Sequence, residues 1–214
     1  MTLPLWSSLA TIIGVWAITV LSPGPNLFTT VHIATTQSRQ IGLILSLGIT
    51  VGTAIWATAS LIGLGVLFET VGWLYQIVKL AGGGFLVYLG VRMVLSARRS
   101  PAVPEMAART LSARAAFWRG VVVDLSNPKA AIFFTSLFAF AVPADAPMWY
   151  KGMVVGVVAL IAGGWYALVA CAVNFRPVGR ALERVQRPLS YAVGGGVFIA
   201  FGARIASDTE PFSR

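Results

Sequence analysis

Six apolar stretches, each long enough to cross a lipid bilayer and each nearly free of charge, leave this chain few ways to fold. They run from about Trp6 to Ala34, Ile41 to Phe68, Val71 to Leu95, Ala116 to Ala141, Met148 to Phe175 and Leu189 to Ala206. A helix needs about 20 apolar residues to cross a ~30 Å hydrocarbon core. Lipid offers no partner to backbone N–H and C=O groups, so a spanning chain is either helical or a closed barrel. The chain lacks the ten-residue apolar/polar alternation of barrel strands, which leaves helices. The expected class is an all-α membrane protein with six transmembrane helices. Composition agrees: 57% of the residues are hydrophobic and 11% charged, against roughly 25% charged in soluble domains.

The formal charge of +9 does not point to nucleic acid, because the basic residues sit in the gaps between apolar runs. Arg39, Arg92, Arg98, Arg99, Arg109, Arg114, Arg119, Arg176, Arg180, Arg184 and Arg187 fall on one side of the expected topology. The other side holds Lys151, Arg204 and Arg214, accompanied by Glu69, Asp145, Asp208 and Glu210. Excess Lys and Arg marks the cytoplasmic side, so both termini are expected outside. The N-terminal run has no Lys or Arg ahead of it and reads as the first span rather than a removable signal peptide. Cys171 is the single cysteine and lies in an apolar run, where it reads as a small packed side chain.

Internal similarity divides the chain. Residues 82–92, GGGFLVYLGVR, and 194–204, GGGVFIAFGAR, share five of eleven positions, including all four glycines. Gly42 and Ser46 correspond to Gly152 and Gly156, and Trp56 to Tyr166, at a constant offset of 110. Leu21-Ser22 before Pro23 and Pro25 resembles Leu125-Ser126 before Pro128. The order of these matches predicts a first three-helix unit over 1–95, a cytoplasmic connector over 96–115, a second unit over 116–207 and a short external tail over 208–214. Three spans per unit forces the second unit to cross in the opposite direction. Such 3+3 inverted-topology repeats, with interrupted helices at matching positions, are an architecture of secondary transporters.

The interruptions are Pro23-Gly24-Pro25-Asn26 in the first span and Asn127-Pro128-Lys129 in the fourth. Proline has no backbone N–H and breaks the helical ladder, and glycine adds permissive backbone. Both breaks fall roughly 15 Å from the cytoplasmic face at ~1.5 Å per helical residue, near the middle of the core. Freed backbone at that depth is tolerated only inside protein or around a polar cavity. Released carbonyls accept from an ammonium, and the N–H groups opening the next half-helix donate to a carboxylate, so the paired breaks suit a zwitterion. Asn26 and Asn127 add neutral donors and acceptors, and Lys129 attracts a carboxylate.

Asp124 lies inside the fourth span, where an acidic group is costly and defaults to a functional role. It would bind a substrate ammonium and take up a proton in exchange, making it the proton-coupling candidate. Two other readings stay open: an ion pair with Lys79 or Lys129, and a hydrated position near the cytoplasmic mouth. His32, the single histidine, reads as interfacial. Gly48, Gly52, Gly83, Gly90, Gly195 and Gly202 read as close helix packing, and glycine faces of this kind would serve a homodimer as readily as the fold itself. Trp6, Trp73, Trp118 and Trp149 fall near span ends as interface anchors.

PGPN in the first span, Gly42-x-x-x-Ser46-x-Gly48-x-x-x-Gly52 in the second, LAGGGFLVYLG in the third and FWRGVVVDLSNPKAAIFF in the fourth resemble the LysE/RhtB amino-acid exporter family. The resemblance implies a bacterial inner-membrane exporter of amino acids or close derivatives, driven by the proton gradient. It places the signature positions on Pro23, Gly24, Pro25, Asn26, Asn127, Pro128 and Lys129. Asp124 departs from the pattern, since a neutral residue, often Asn, is usual there in similar proteins. Pro143-Ala144-Asp145 replaces the usual Pro-Gln-Phe after the fourth span.

The partners expected are therefore a small-molecule substrate and the lipid bilayer, with no nucleic acid and no cofactor. Export of a metal cation or other small solute is the alternative within transport, although intramembrane acids, thiols and histidines are too few for a divalent-metal site. An intramembrane enzyme would need a dyad or triad that Asp124, Cys171 and His32 do not compose. A membrane scaffold gives no reason for two breaks at one depth.

Overall fold

The computed structural model describes residues 5–22, 24–70, 111–143 and 145–173, with scattered helical positions between 77 and 95 and between 196 and 207. The described elements are all α-helices: α1 (Leu5–Leu21), α2 (Pro25–Thr36), α3 (Arg39–Thr70), α4 (Ala113–Leu125), α5 (Pro128–Ala141) and α6 (Met148–Ala172). Residues 39–63 of α3 and the whole of α6 are each long and apolar enough to cross a membrane. The pair α1 and α2, bent by 53° at their junction, gives a third if taken as one broken span. Most of the expected third and sixth spans, Gly195 included, lies outside the described residues, as do Pro23 of the first span and the connector over 96–110.

Each break follows from local chemistry. α1 ends at Leu21, where Ser22 closes the last turn by donating both its backbone N–H (3.1 Å) and its hydroxyl (2.8 Å) to the Thr19 carbonyl. Gly24 is extended (φ −167°, ψ −178°), the conformation that a following proline favours. Pro25 then opens α2 at a position that has no use for its missing N–H. α4 starts on Ser112, whose hydroxyl accepts from Ala115 N–H at 3.3 Å. It stops at Leu125, and α5 restarts at Pro128 by the same proline logic.

The core forms around α5, whose Phe133, Phe134, Leu137 and Phe138 are essentially inaccessible. Trp16 of α1 stacks on Phe134 with ring centroids 4.7 Å apart and donates its indole N–H to the Val158 carbonyl of α6 at 2.8 Å. At the far ends of these helices Tyr150 Oη donates to Ser8 Oγ at 2.7 Å, and Ser8 Oγ donates to the Ala141 carbonyl. This buried clasp joins α1, α5 and α6 where the chain is expected to face outside.

α3 packs most heavily on α4, and small residues explain why. A Cβ on Gly48 would collide with the Phe117 carbonyl, and one on Gly120 with the Leu45 carbonyl, so the two backbones touch. Inside a bilayer, helix association rests on such close packing rather than on the hydrophobic effect. Of the other glycines read as packing positions, Gly202 lies against the Gly83 carbonyl and Val87, which puts the third and sixth expected spans in contact. Gly90 is helical and buried. Trp6, Trp118 and Trp149 are 68%, 55% and 57% exposed, as lipid-interface anchors would be, and Trp73 lies outside the described residues.

Candidate functional site

The two breaks meet. A cavity between α1, α2, α4, α5 and α6 is lined by Ser22, Gly24 and Asn26 from the first and by Asp124, Asn127 and Ala130 from the second. Trp16 and Phe133 supply an apolar wall, and Tyr166 closes it from α6. Its volume is about 30 Å³, room for about two waters and far below the ~300 Å³ and more of ordinary ligand sites.

Asp124 is the charged residue of this lining, 2% exposed. Its Oδ1 accepts from Asn26 Nδ2 at 2.5 Å, a bond that joins the two breaks directly. Its Oδ2 faces Thr53 Oγ1 of α3 at 3.4 Å, a weak contact. Trp56, one helical turn along α3, donates its indole N–H to the Asp124 carbonyl at 3.2 Å. These partners are neutral; Lys79 and the side chain of Lys129, offered above as ion-pair partners, lie outside what is described. The buried location removes the reading of Asp124 as a hydrated residue at the cytoplasmic mouth.

Gly52 makes room for this carboxylate. A Cβ there would lie 2.8 Å from Asp124 Cβ and 2.9 Å from Oδ2, closer than atoms tolerate. The glycine read from the sequence as helix packing is therefore also a wall of the site. Gly48, one turn earlier, is the packing glycine of the same seam.

Asn26 is 6% exposed, and its Oδ1 is buried with no hydrogen-bond partner. The Tyr166 hydroxyl is hydrogen-bonded to the Asn26 side chain and lies within electrostatic reach of Asp124. Trp56 and Tyr166, paired in the sequence at an offset of 110, both come to the site: Trp56 bonds the Asp124 carbonyl, and Tyr166 stands beside Asp124 and Asn26. Thr30 Oγ1 caps the Asn26 carbonyl at 2.8 Å, one turn further into α2.

Of the residues expected at the site, Gly24, Asn26, Asp124 and Asn127 line the cavity. Pro25 is exposed at the start of α2 and does not line the cavity, and Pro128 and Lys129, which open α5, are described only as helical backbone and are not among the lining residues. Pro23 lies outside the described residues. Sequence reasoning missed Thr53, Trp16, Phe133 and Ser22. Thr53 carried a usable signal: Gly52, Thr53 and Trp56 recur at the spacing of one helix face. Trp16 and Phe133 carried none, being ordinary apolar residues of apolar runs.

The arrangement offers acceptors, Asp124 Oδ2 and Asn26 Oδ1, beside the N-termini of α2 and α5, whose first N–H groups and dipoles favour a negative group. It can hold a small molecule that carries an N–H donor and an anionic or carbonyl end. Among the described residues no group of three His, Cys, Asp or Glu side chains could hold a metal ion.

Comparison with known proteins bears on this geometry. The family model described as LysE type translocator matches residues 17–209. The threonine efflux protein of Escherichia coli (strain K12) is 27% identical over 197 residues, covering 91% of this chain and 95% of that protein. The membrane protein YahN of the same organism is 29% identical over 192 residues, covering 87% of this chain and 84% of its own. A membrane protein of Haemophilus influenzae is 28% identical over 187 residues, with 86% and 88% covered. No solved structure matches.

Proposed function

The chain belongs to the LysE type translocator family, and on that premise we propose that it exports an amino acid or close derivative from the cytoplasm by proton antiport. The observation that carries this reading is the convergence of two helix breaks on one buried carboxylate. A lone breach of helical hydrogen bonding is a kink; two that share a cavity are a binding site. Threonine is the first solute to try, because a relative that aligns with 91% of the chain is named for its efflux.

In this reading the protein is a six-helix, 3+3 inverted repeat in the bacterial inner membrane with both termini outside. The placement of both Trp56 and Tyr166 at the site and the contact of Gly202 with Gly83 support it. The substrate carboxylate lies against the first N–H groups of α2 and α5, and its ammonium lies toward Asn26 and Asp124. The small cavity is one state of an alternating-access cycle. With the Ser8, Tyr150 and Ala141 clasp made, the site would open toward the cytoplasm; with the clasp released, it opens outward. Asp124 takes a proton from outside as the substrate leaves and gives it up inside as the next one binds.

The test is uptake of labelled threonine into inverted membrane vesicles with and without an imposed proton gradient, followed by a wider panel of neutral and basic amino acids and lactones. Gradient-dependent uptake by wild type that is abolished in Asp124→Asn, and reduced in Pro25→Ala and Asn127→Ala at equal membrane levels, is the expected result. If no solute on the panel moves with correctly inserted protein, export of amino acids is wrong. If both break variants transport normally, the site is wrong.

A further inference from the structure

Asn26 and Asp124 line the cavity side by side, and the amide of one is bonded to the carboxylate of the other. A carboxylate only accepts hydrogen bonds, so the 2.5 Å contact obliges Asn26 to turn its NH₂ group toward Asp124. The same rotation leaves Asn26 Oδ1 as a buried acceptor without a donor, in a residue that lines the cavity. An unsatisfied buried acceptor costs about 1–3 kcal/mol, and an N–H from a bound molecule would relieve it.

We propose that Asn26 is the specificity-determining residue that presents the state of Asp124 to the substrate: its amide offers an oxygen to an ammonium or hydroxyl donor while Asp124 is ionised, and turns over to offer its NH₂ group when Asp124 is protonated. The inference rests on the export reading, and it asks of the substrate an N–H or O–H donor that can meet a neutral carbonyl.

The step balances without any further reactant. A proton arriving at Asp124 Oδ1 converts that atom from acceptor to donor. Asn26 rotates by half a turn about its last side-chain bond, so that Oδ1 accepts the new O–H and Nδ2 enters the cavity. The ammonium keeps its own protons, now faces a donor instead of an acceptor, and leaves. The geometry favours Oδ1 over Oδ2 as the protonated atom, because the neighbour of Oδ2, the Thr53 hydroxyl, is 3.4 Å away and a poor acceptor at that range. Among the described residues, the other titratable group facing the pair is the Tyr166 hydroxyl of α6, which is hydrogen-bonded to the Asn26 side chain and must exchange its partner atom when the amide turns. The faces of α1, α3 and α5 that line the site bring Trp16, Thr19, Val20, Thr53, Trp56, Ala130 and Phe133, none of which titrates.

The sequence makes the test tractable, since it holds three asparagines, Asn26, Asn127 and Asn174. Full-length protein in lipid nanodiscs, labelled with ¹⁵N at asparagine side chains, should give three amide signals, with Asn26 assigned by its loss in Asn26→Gln. On acidification the Asn26 signal should move from a strongly hydrogen-bonded position toward a free one. Its midpoint should coincide with that of the Asp124 carboxyl followed by ¹³C, and the movement should be absent in Asp124→Asn. An Asn26 signal that stays put while Asp124 titrates would place the proton on the Thr53 side and overturn the relay. Vesicle uptake of threonine that is gradient-dependent in wild type keeps the export reading standing in that case, so the two failures are distinguishable.

Discussion

At the first break the chain reads Val20-Leu21-Ser22-Pro23-Gly24-Pro25, and at the second Asp124-Leu125-Ser126-Asn127-Pro128. Val20 and Asp124 occupy corresponding places and both line the cavity. Val20 is a buried apolar side chain, 4% exposed, and nearby Ser22 donates its hydroxyl to the Thr19 carbonyl. Around Asp124 the neighbouring helices are altered to receive a carboxylate. Gly52 gives it space and Thr53 and Asn26 face its oxygens, while Ala162, which stands at the position matching Gly52, is a fully buried apolar residue. The difference teaches that a shared break supplies the cavity and a single departure from the repeat supplies its charge.

Making the second break like the first should have the largest effect. Asp124→Val should cut gradient-driven export at least 100-fold, about 2.7 kcal/mol in the transport barrier, measured as vesicle uptake. The protein should still insert, with a melting temperature no lower than wild type, because a costly buried acid has been replaced by an apolar group. The converse, Val20→Asp, places an acid where no neighbour has been altered for it. It should destabilise the protein by about 2.5–3.5 kcal/mol, the insertion cost of an aspartate at mid-membrane, read as a lowered melting midpoint in detergent.

Two smaller changes sharpen the contrast within the second break. Gly52→Ala should push Asp124 out of its berth and reduce gradient-driven uptake by roughly tenfold, since small misplacements of a reacting group are expensive. Helix packing at Gly48 and Gly120 should be retained, so crosslinking between cysteines placed at the lipid-facing edge of α3 and α4 should be unchanged. Thr53→Val should cost about threefold or less, under 1 kcal/mol, because a 3.4 Å contact contributes little. A loss as large as that of Asp124→Val would mean that Thr53 holds the substrate itself.

Much of this contrast was legible in the residues. Proline and glycine announce breaks by covalent geometry alone, so both interruptions and their shared depth follow from PGPN and NPK. Asp124 is conspicuous because acids in apolar runs are rare. The Asn26 to Asp124 bond was not legible, since it spans 98 residues and depends on how far each helix is rotated about its axis. Weak amphipathic patterning leaves that rotation undetermined: in lipid, both the inward and outward faces of α3 and α6 are apolar. Gly52 was read as packing for the same reason. A glycine records that something comes close, and the structure is needed to say whether that something is backbone, as at Gly48, or a carboxylate.

The α3–α4 seam has a mechanical consequence. Gly48 and Gly120 bring the backbones of these helices into contact, and in the proposed architecture α3 belongs to one half and α4 to the other. Gly202 against Gly83 makes a second stitch of the same kind. Parts sewn together at two seams do not separate like the jaws of a clamp. In the proposed export cycle they would make a fixed frame, and the travel needed to load and empty the cavity would fall to the segments the seams do not hold, α1, α2 and α5. The breaks would then be the joints of the machine as well as the walls of its site.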